Sequence, residues 1–173
     1  ASDRRQLRCV GLIRDVSDAK RSLERLMHNA VHDSLTSLPN RELFLDRLAM
    51  SLQRVASDPT SRPAILFFDL DKFRSVNSSF GLIVGDTILS TVARRLARSI
   101  QPTSTLARIG GDQFALMLLG HQDPRELAAI AERLRLALRS PIRMAGQEIV
   151  LTGAIGIALY DGTQANAHDL MRE

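Results

Sequence analysis

The sequence predicts an α+β fold in which helices pack against a mostly antiparallel sheet. Segments with apolar residues every three or four positions alternate with short apolar runs typical of strands, in the order αβαββαββ. Two of those runs flank a Gly-Gly pair at residues 110 and 111, which is a strong signal for a β-hairpin. The chain has 173 residues, 45% hydrophobic and 24% charged, as expected for one globular domain with a small appendage.

The first 32 residues predict an appendage that precedes the main domain. Residues 7–14 form a strand-like run, and a helix over about 18–31 follows, with Ser17 as a favoured N-cap. Apolar residues recur along that helix at a coiled-coil-like spacing: Ala19, Leu23, Leu26 and Ala30. We therefore expect residues 15–32 to be a helical linker whose apolar seam packs on another chain or on the domain itself.

The first helix and strand of the main domain have clear boundaries. Asn40 follows Pro39 and is a favoured N-cap, which predicts a helix over residues 40–55. Its expected buried face comprises Leu45, Leu48, Leu52 and Val55. Proline and serine mark residues 57–63 as a loop, and the apolar run at 64–70 predicts a buried strand.

Further helices and two hairpins complete the predicted domain. Ile88, Val92 and Leu96 line one face of a helix over residues 85–100. Pro124 is favoured in the first turn of the next helix, whose apolar stripe is Leu127, Ala131, Leu134 and Leu138. This helix is predicted over residues 124–139 and follows the hairpin at 105–119. A second hairpin over 141–158 around Gly146 and a helix from Ala167 come after it.

Three carboxylates stand where predicted strands end. Asp69 and Asp71 close the strand at 64–70, and strand alternation would place both on one face. Asp112 follows the two glycines of the hairpin turn, where bare backbone lets a ligand approach closely. Sparse oxygen donors suit a divalent cation such as Mg²⁺, with water and substrate phosphates completing the coordination. The alternative is a simple strand boundary, with both groups solvated or with Asp71 capping a short helix that begins near Lys72.

Four segments, in this order, resemble those of one protein family. Residues 69–86 resemble the nucleotide-binding segment of GGDEF domains, the diguanylate cyclases of bacterial cyclic-di-GMP signalling. Residues 110–114, Gly-Gly-Asp-Gln-Phe, occupy the place of the namesake motif. Residues 33–41 resemble the segment that opens the domain, and 151–158 resemble its late core strand. The resemblance covers nearly all of the chain after the linker and implies the palm-like fold shared with class III nucleotide cyclases and some polymerases.

The resemblance implies roles for individual residues. Asp69 and Asp112 would bind Mg²⁺ (or Mn²⁺), assisted by the carbonyl of Leu70, and Asn77 and Asp86 would read the guanine of GTP. Further contacts to GTP would come from Lys72, Phe73, Arg74, Gly110 and Gly111. By position alone, Asn77 also suits a helix C-cap and Asp86 the first turn of a helix, and both are compatible with ligand binding.

Three departures from the family pattern bear on activity. Gln113 replaces the glutamate of the motif, which removes one negative charge beside the metal ligands. Gln101 and Ser104 stand where the family's product-inhibition site has arginine and aspartate. The chain also ends before the family's C-terminal helix, so residues 33–173 are interpreted as a GGDEF domain that lacks this helix.

The main hypothesis is a GTP-binding domain with weak or lost cyclase activity and a regulatory role. The alternative is an active diguanylate cyclase that converts two GTP into cyclic di-GMP and pyrophosphate. A purely structural spacer fits poorly, because four site positions match the family together: Asp69, Asn77, Asp86 and Asp112.

The rest of the sequence indicates the setting of this domain. Residues 1–14 resemble the tail of a PAS sensor domain, and Gln113 without an inhibition site resembles GGDEF domains that precede an EAL phosphodiesterase domain. We expect a homodimer through the N-terminal helix of the parent protein. The single cysteine, Cys9, fits the cytoplasm. The net charge of +4 comes from dispersed arginines and predicts no nucleic-acid binding, and no apolar run predicts membrane contact by this fragment.

Overall fold

The structure, a computed structural model, has a four-stranded antiparallel sheet at the centre of its main domain. The strands are β1 (Pro63–Leu70), β2 (Thr105–Gly110), β3 (Gln113–Leu119), β4 (Ile142–Met144), β5 (Gln147–Ile149) and β6 (Gly153–Leu159). The central sheet has the order β2-β3-β1-β6, and β4 pairs with β5 in a separate two-stranded sheet. All four pairings are antiparallel, so the predicted mostly antiparallel sheet is confirmed.

The structure describes residues 28, 30–120, 123–144, 146–164 and 166–172. The PAS-like tail at 1–14 lies outside these residues, as does nearly all of the helical linker at 15–32. From Val31 onward, the described residues form one compact unit. None of the helices within the described residues is long and apolar enough to cross a bilayer.

In the part of the chain from Arg41 onward that the structure describes, five helices flank the sheet. They are α1 (Arg41–Val55), α2 (Phe73–Phe80), α3 (Leu82–Arg98), α4 (Pro124–Arg139) and α5 (Ala167–Leu170), with a 3₁₀ turn at Pro59–Ser61. The predicted N-cap of α1 is confirmed, since Asn40 Oδ1 accepts a hydrogen bond of 3.0 Å from the Leu43 amide. Asp123 caps α4 in the same way through the Arg125 amide.

The sheet separates two apolar clusters. On one face, alternate residues of β1 such as Leu66 and Phe68 pack with residues of α2, α3 and α4. On the other face, Ile65 packs with Phe44 and Leu48 of α1 and with α5. Helices therefore cover both faces of one sheet, and the predicted α+β class is confirmed.

Two sequence-based boundaries were wrong, and the predicted buried face of α1 was right only in part. The helix expected from residue 85 begins at Leu82, because Gly81, with a φ of +83°, makes the turn between α2 and α3. The strand expected over 147–158 is two strands, and its second part, β6, joins the central sheet beside β1. On α1 the fully buried residues are Phe44, Leu48 and Ser51, whereas the remaining predicted ones are half-buried: Leu45, Leu52 and Val55.

Candidate functional site

The register of the central sheet brings the end of β1 beside the β2–β3 turn. Asp69 is the Cα partner of Gln113 on β3, and Leu70 is the partner of Gly153 on β6. The Leu70 amide also donates a hydrogen bond of 3.4 Å to the backbone oxygen of Asp112. The two candidate metal ligands, Asp69 and Asp112, therefore come from adjoining backbone segments although they are far apart in sequence.

A cavity of about 260 Å³ opens between this turn and helices α2 and α3. Its lining residues are Phe73, Arg74, Asn77, Asp86, Leu89, Arg108, Gly111 and Asp112. Six of these eight were singled out from the sequence. Leu89 and Arg108 were missed, because an apolar residue inside a helix and an arginine inside a strand carry no local signal of a cavity.

Asn77 has the most unusual environment in this cavity. Its Oδ1 atom is buried, and it is the one such side-chain oxygen or nitrogen without a hydrogen-bond partner among the described residues. A buried acceptor left unpaired costs about 1–3 kcal/mol. Asn77 also lines the cavity, so its carboxamide lies beside any ligand that binds there. The C-cap interpretation was wrong, because Asn77 lies inside α2 and Gly81 is the C-cap.

Gly85 explains how Asn77 fits between the two helices. A Cβ atom added to Gly85 would lie 1.8 Å from Asn77 Oδ1 and 3.3 Å from the Phe73 ring. Only a residue without a side chain lets α3 approach α2 this closely. Gly85 therefore fixes the position of the Asn77 carboxamide in the cavity wall.

Asp86 lies one residue further along α3, is exposed and lines the same cavity. The expectation that it occupies the first turn of its helix was wrong, because α3 begins four residues earlier at Leu82. The helix dipole therefore stabilises its negative charge less than the sequence suggested. The carboxylate remains available to accept hydrogen bonds from a ligand.

Gln113 makes a direct contact with Asp69. Its Nε2 atom donates a hydrogen bond of 2.8 Å to Asp69 Oδ2, and both side chains are exposed. No group of three or more His, Cys, Asp or Glu side chains close enough for a metal is found within the described residues. Mg²⁺ is commonly held by one or two carboxylates together with substrate phosphates. The donors supplied by Asp69 and Asp112 fit that kind of site.

Asp71 and Lys72 lie away from this cavity. They line a second, larger groove of about 530 Å³ with residues of α2 and the segment 150–152. Asp71 Oδ2 accepts a hydrogen bond of 2.6 Å from Thr152 Oγ1, while Lys72 occupies the N-cap position of α2 with a φ of 55°. The expectation that Asp71 caps this helix was wrong, because the strand ends at Leu70 and the chain turns sharply at Lys72.

The turn that carries Asp112 is held by Arg108, which the sequence did not single out. Nε and Nη2 of Arg108 donate to the carbonyl of Gly111 at 3.0 and 2.8 Å. Nη1 donates to both carboxylate oxygens of Asp33, at 3.1 and 3.0 Å. Gly111 has a φ of +52°, and Gly110 precedes it on β2. The guanidinium therefore ties the segment around Asp33 to the turn beside Asp112.

Asp33 is held in its charged form by these contacts. Burial raises the pKa of the carboxyl, but hydrogen bonds from the Thr36 hydroxyl and amide and from Arg108 outweigh that effect. The pKa of Asp33 is therefore below its usual value. Its oxygen Oδ1 accepts from Thr36 N at 2.8 Å and from Thr36 Oγ1 at 2.6 Å.

The Asp33→Asn substitution is expected to lower the free energy of unfolding at neutral pH by about 1–2 kcal/mol, because it weakens a charge-assisted contact that is partly exposed. A carboxyl with a lowered folded-state pKa contributes stability above its unfolded pKa of about 4 and loses it as the pH falls through the folded pKa. Urea denaturation at neutral and acidic pH should show the variant's deficit shrinking in acid. Asp46→Asn, on the exposed face of α1, is the control. A deficit that does not change with pH would contradict the role of this charge.

Comparisons with known proteins identify the family. The family model described as diguanylate cyclase, GGDEF domain, matches residues 30–173. The bifunctional diguanylate cyclase/cyclic di-GMP phosphodiesterase MucR of Pseudomonas aeruginosa is 40% identical over 151 residues, which cover 87% of this chain and 22% of MucR. The diguanylate cyclase TpbB of the same species is 40% identical over 149 residues, covering 83% of this chain and 34% of TpbB. The chain thus spans only 22% and 34% of the lengths of these two relatives.

Solved structures agree with the sequence comparison. A sensory box/GGDEF family protein from Caulobacter crescentus superposes with a TM-score of 0.75 at 36% identity, over 82% of this chain and 91% of that one. The GGDEF domain of TpbB from Pseudomonas aeruginosa also gives 0.75, at 34% identity and over 82% of each chain. Proteins of this family act in cyclic-di-GMP signalling and generally use divalent metal ions. The chain therefore belongs to the GGDEF family of diguanylate cyclase domains.

Proposed function

We propose that residues 33–173 bind GTP together with a divalent cation, Mg²⁺ or Mn²⁺, and that their cyclase activity is weak or lost. In this proposal the domain has a regulatory role within a longer cyclic-di-GMP signalling protein. The observation that carries it is a cavity lined both by Asn77, whose buried side-chain oxygen has no hydrogen-bond partner, and by Asp112. A nucleotide is a ligand for a cavity of this kind, because its base can donate hydrogen bonds to Asn77 and its phosphates bind a cation that Asp112 can hold.

The base would occupy the side of the cavity formed by α2 and α3. Asn77 Oδ1 and the Asp86 carboxylate are both acceptors, and the Watson–Crick edge of guanine carries N–H donors. The corresponding edge of adenine offers a single amino group. Two acceptor side chains that line one cavity therefore favour guanine over adenine, and Phe73 adds an apolar surface to the same lining.

The triphosphate and the cation would lie toward the β2–β3 turn. Asp69 and Asp112 would hold the cation, with the carbonyl of Leu70 as a further oxygen donor. When bound, such a cation neutralises phosphate charge and supports attack on a phosphorus centre. Arg74 lines the same cavity and supplies positive charge for the phosphates, and the bare backbone of Gly110 and Gly111 would permit close approach. Lys72, which lies in the second groove, is the weakest member of the proposed set.

Gln113 is the reason for proposing a weak or lost cyclase activity. It removes a negative charge beside the metal ligands and places an amide against Asp69 instead. The alternative, an active diguanylate cyclase making cyclic di-GMP from two GTP, is favoured by the retained Asp69, Asn77, Asp86 and Asp112. The names of relatives such as TpbB also favour it. The two alternatives share the same GTP site and differ in turnover.

The setting in the parent protein is part of the same proposal. We place a PAS-like tail at residues 1–14, a helical linker that mediates homodimer formation at 15–32, and an EAL domain after the chain, all in the cytoplasm. The name of MucR combines cyclase and phosphodiesterase activities, which supports a partner domain of this type. Gln101 and Ser104 support the absence of product inhibition at that position.

The role of Asn77 in nucleotide binding can be tested by a substitution at Gly85. The Gly85→Ala substitution should displace the Asn77 carboxamide, because the new Cβ would overlap its oxygen. We expect affinity for Mg²⁺·GTP to fall about tenfold, the loss of one good hydrogen bond to a base, and the preference for GTP over ATP to narrow. Calorimetry with both nucleotides measures this.

The matched control is Gly156→Ala on β6, where an added Cβ meets nothing within 4 Å. It should leave the GTP affinity unchanged. Equal affinity of the unsubstituted protein for GTP and ATP, or an unchanged preference in Gly85→Ala, would overturn the assignment of Asn77 as a guanine acceptor.

A further inference from the structure

Gln113 gives Asp69 a hydrogen-bond donor before any ligand arrives. The two residues are Cα partners across the β1–β3 pair, and Gln113 Nε2 lies 2.8 Å from Asp69 Oδ2. One oxygen of a candidate metal ligand is therefore already satisfied by a neutral group of the protein.

A carboxylate in place of this amide would change the balance of charge. Glutamate at position 113 would face Asp69 directly across two paired strands, where like charges destabilise a sheet. Asp112 immediately precedes position 113, and the Leu70 amide holds its backbone beside β1. Three carboxylates at positions 69, 112 and 113 would need divalent cations to offset their mutual repulsion. The two carboxylates and one amide that are present need fewer cations.

We propose that the Gln113 amide takes the place of one cation: the domain reaches full stability without divalent metal and takes a single divalent cation with GTP. Gln113 is thus a residue that determines how many metal ions the site holds. The number of divalent cations bound together with GTP rests on the proposed function. The stability of the metal-free domain does not. The two halves can therefore be tested separately.

Two variants separate the hydrogen bond from the charge. Gln113→Met keeps an unbranched side chain of similar length and removes the donor, and Gln113→Glu keeps the shape and adds a carboxylate. Gln53→Glu is the charge-matched control, since Gln53 is exposed on α1 away from the cavity.

The first measurement is thermal unfolding of this chain with a chelator and with millimolar Mg²⁺, without nucleotide. The unsubstituted protein should melt at the same temperature in both conditions. Gln113→Glu should melt about 2–4 °C lower with chelator and recover with Mg²⁺. Gln113→Met should melt slightly lower than the unsubstituted protein in both conditions, and Gln53→Glu should show no response to Mg²⁺. Stabilisation of the unsubstituted protein by Mg²⁺ as large as that of Gln113→Glu would overturn the inference.

The second measurement counts bound Mn²⁺ by electron paramagnetic resonance in the presence of a non-hydrolysable GTP analogue. We expect one Mn²⁺ per chain for the unsubstituted protein and two for Gln113→Glu, the number typical of clamped phosphoryl-transfer sites. Two in both proteins would overturn the inference. If neither protein binds the analogue, the proposed GTP function fails, and the melting comparison still decides whether the amide replaces a cation.

Discussion

Replacement of Asp112 by asparagine is expected to lower the affinity for Mg²⁺·GTP by about 100-fold, which corresponds to about 2.7 kcal/mol. The side chain keeps its shape and loses its charge, so the change removes attraction to the cation without opening a gap. Two unit charges about 4 Å apart near a protein surface interact by about 4 kcal/mol. The smaller loss allows for water and phosphate oxygens that compensate in part. Calorimetric titration with and without Mg²⁺ measures it.

Asp69→Asn should have the same direction of effect, since Asp69 is the other proposed carboxylate ligand. Asp71→Asn is the matched control, because Asp71 differs from Asp69 by two positions but lines the other groove and contacts Thr152. Its GTP affinity should stay unchanged. Unchanged affinity in both Asp69→Asn and Asp112→Asn would show that the cation is held elsewhere. A loss in Asp71→Asn equal to the other two would point to the larger groove as the nucleotide site.

The Gln113→Glu substitution is expected to raise diguanylate cyclase turnover by about tenfold or more, at least 1.4 kcal/mol of transition-state stabilisation. The restored carboxylate would attract a divalent cation beside Asp69 and Asp112, and such cations neutralise the negative charge of the phosphoryl group that is transferred. The gain should appear in kcat more than in KM, because GTP contacts away from Gln113 are unchanged. The assay uses the longer protein proposed above, since joining two GTP requires two domains to meet and its proposed linker would bring two copies together.

The outcome of that assay separates the two proposed activities. If the parent protein already turns over GTP as fast as its Gln113→Glu variant, the glutamine is no handicap and the domain is an active cyclase. If neither protein turns over GTP and both bind it, the domain is regulatory and restoring one residue does not recover catalysis. The Gln53→Glu variant controls for the added charge and should match the unsubstituted protein.

The elements of this fold were predictable where their signals are local. The Asn40 cap, the Gly-Gly hairpin and the Pro124 helix start each depend on a few adjacent residues, and the structure has all three. The helix start predicted at residue 85 was wrong because the local signal there is ambiguous. Two glycines lie close together there, and the sequence does not tell which of them makes the turn and which permits close packing of two helices.

By itself, the sequence determined the order of helices and strands and the segments from which a site is built, because periodicity, caps and turn residues act over short distances. Only the tertiary structure decided how those segments face one another. Asp33 and Arg108 are 75 residues apart, and Asp69 and Gln113 are 44 apart, so both contacts depend on strand register and packing. Asp71 lines the larger groove and Asp69 does not, because the strand ends at Leu70 between them. The buried oxygen of Asn77 fits between α2 and α3 because Gly85, on the other helix, leaves room for it.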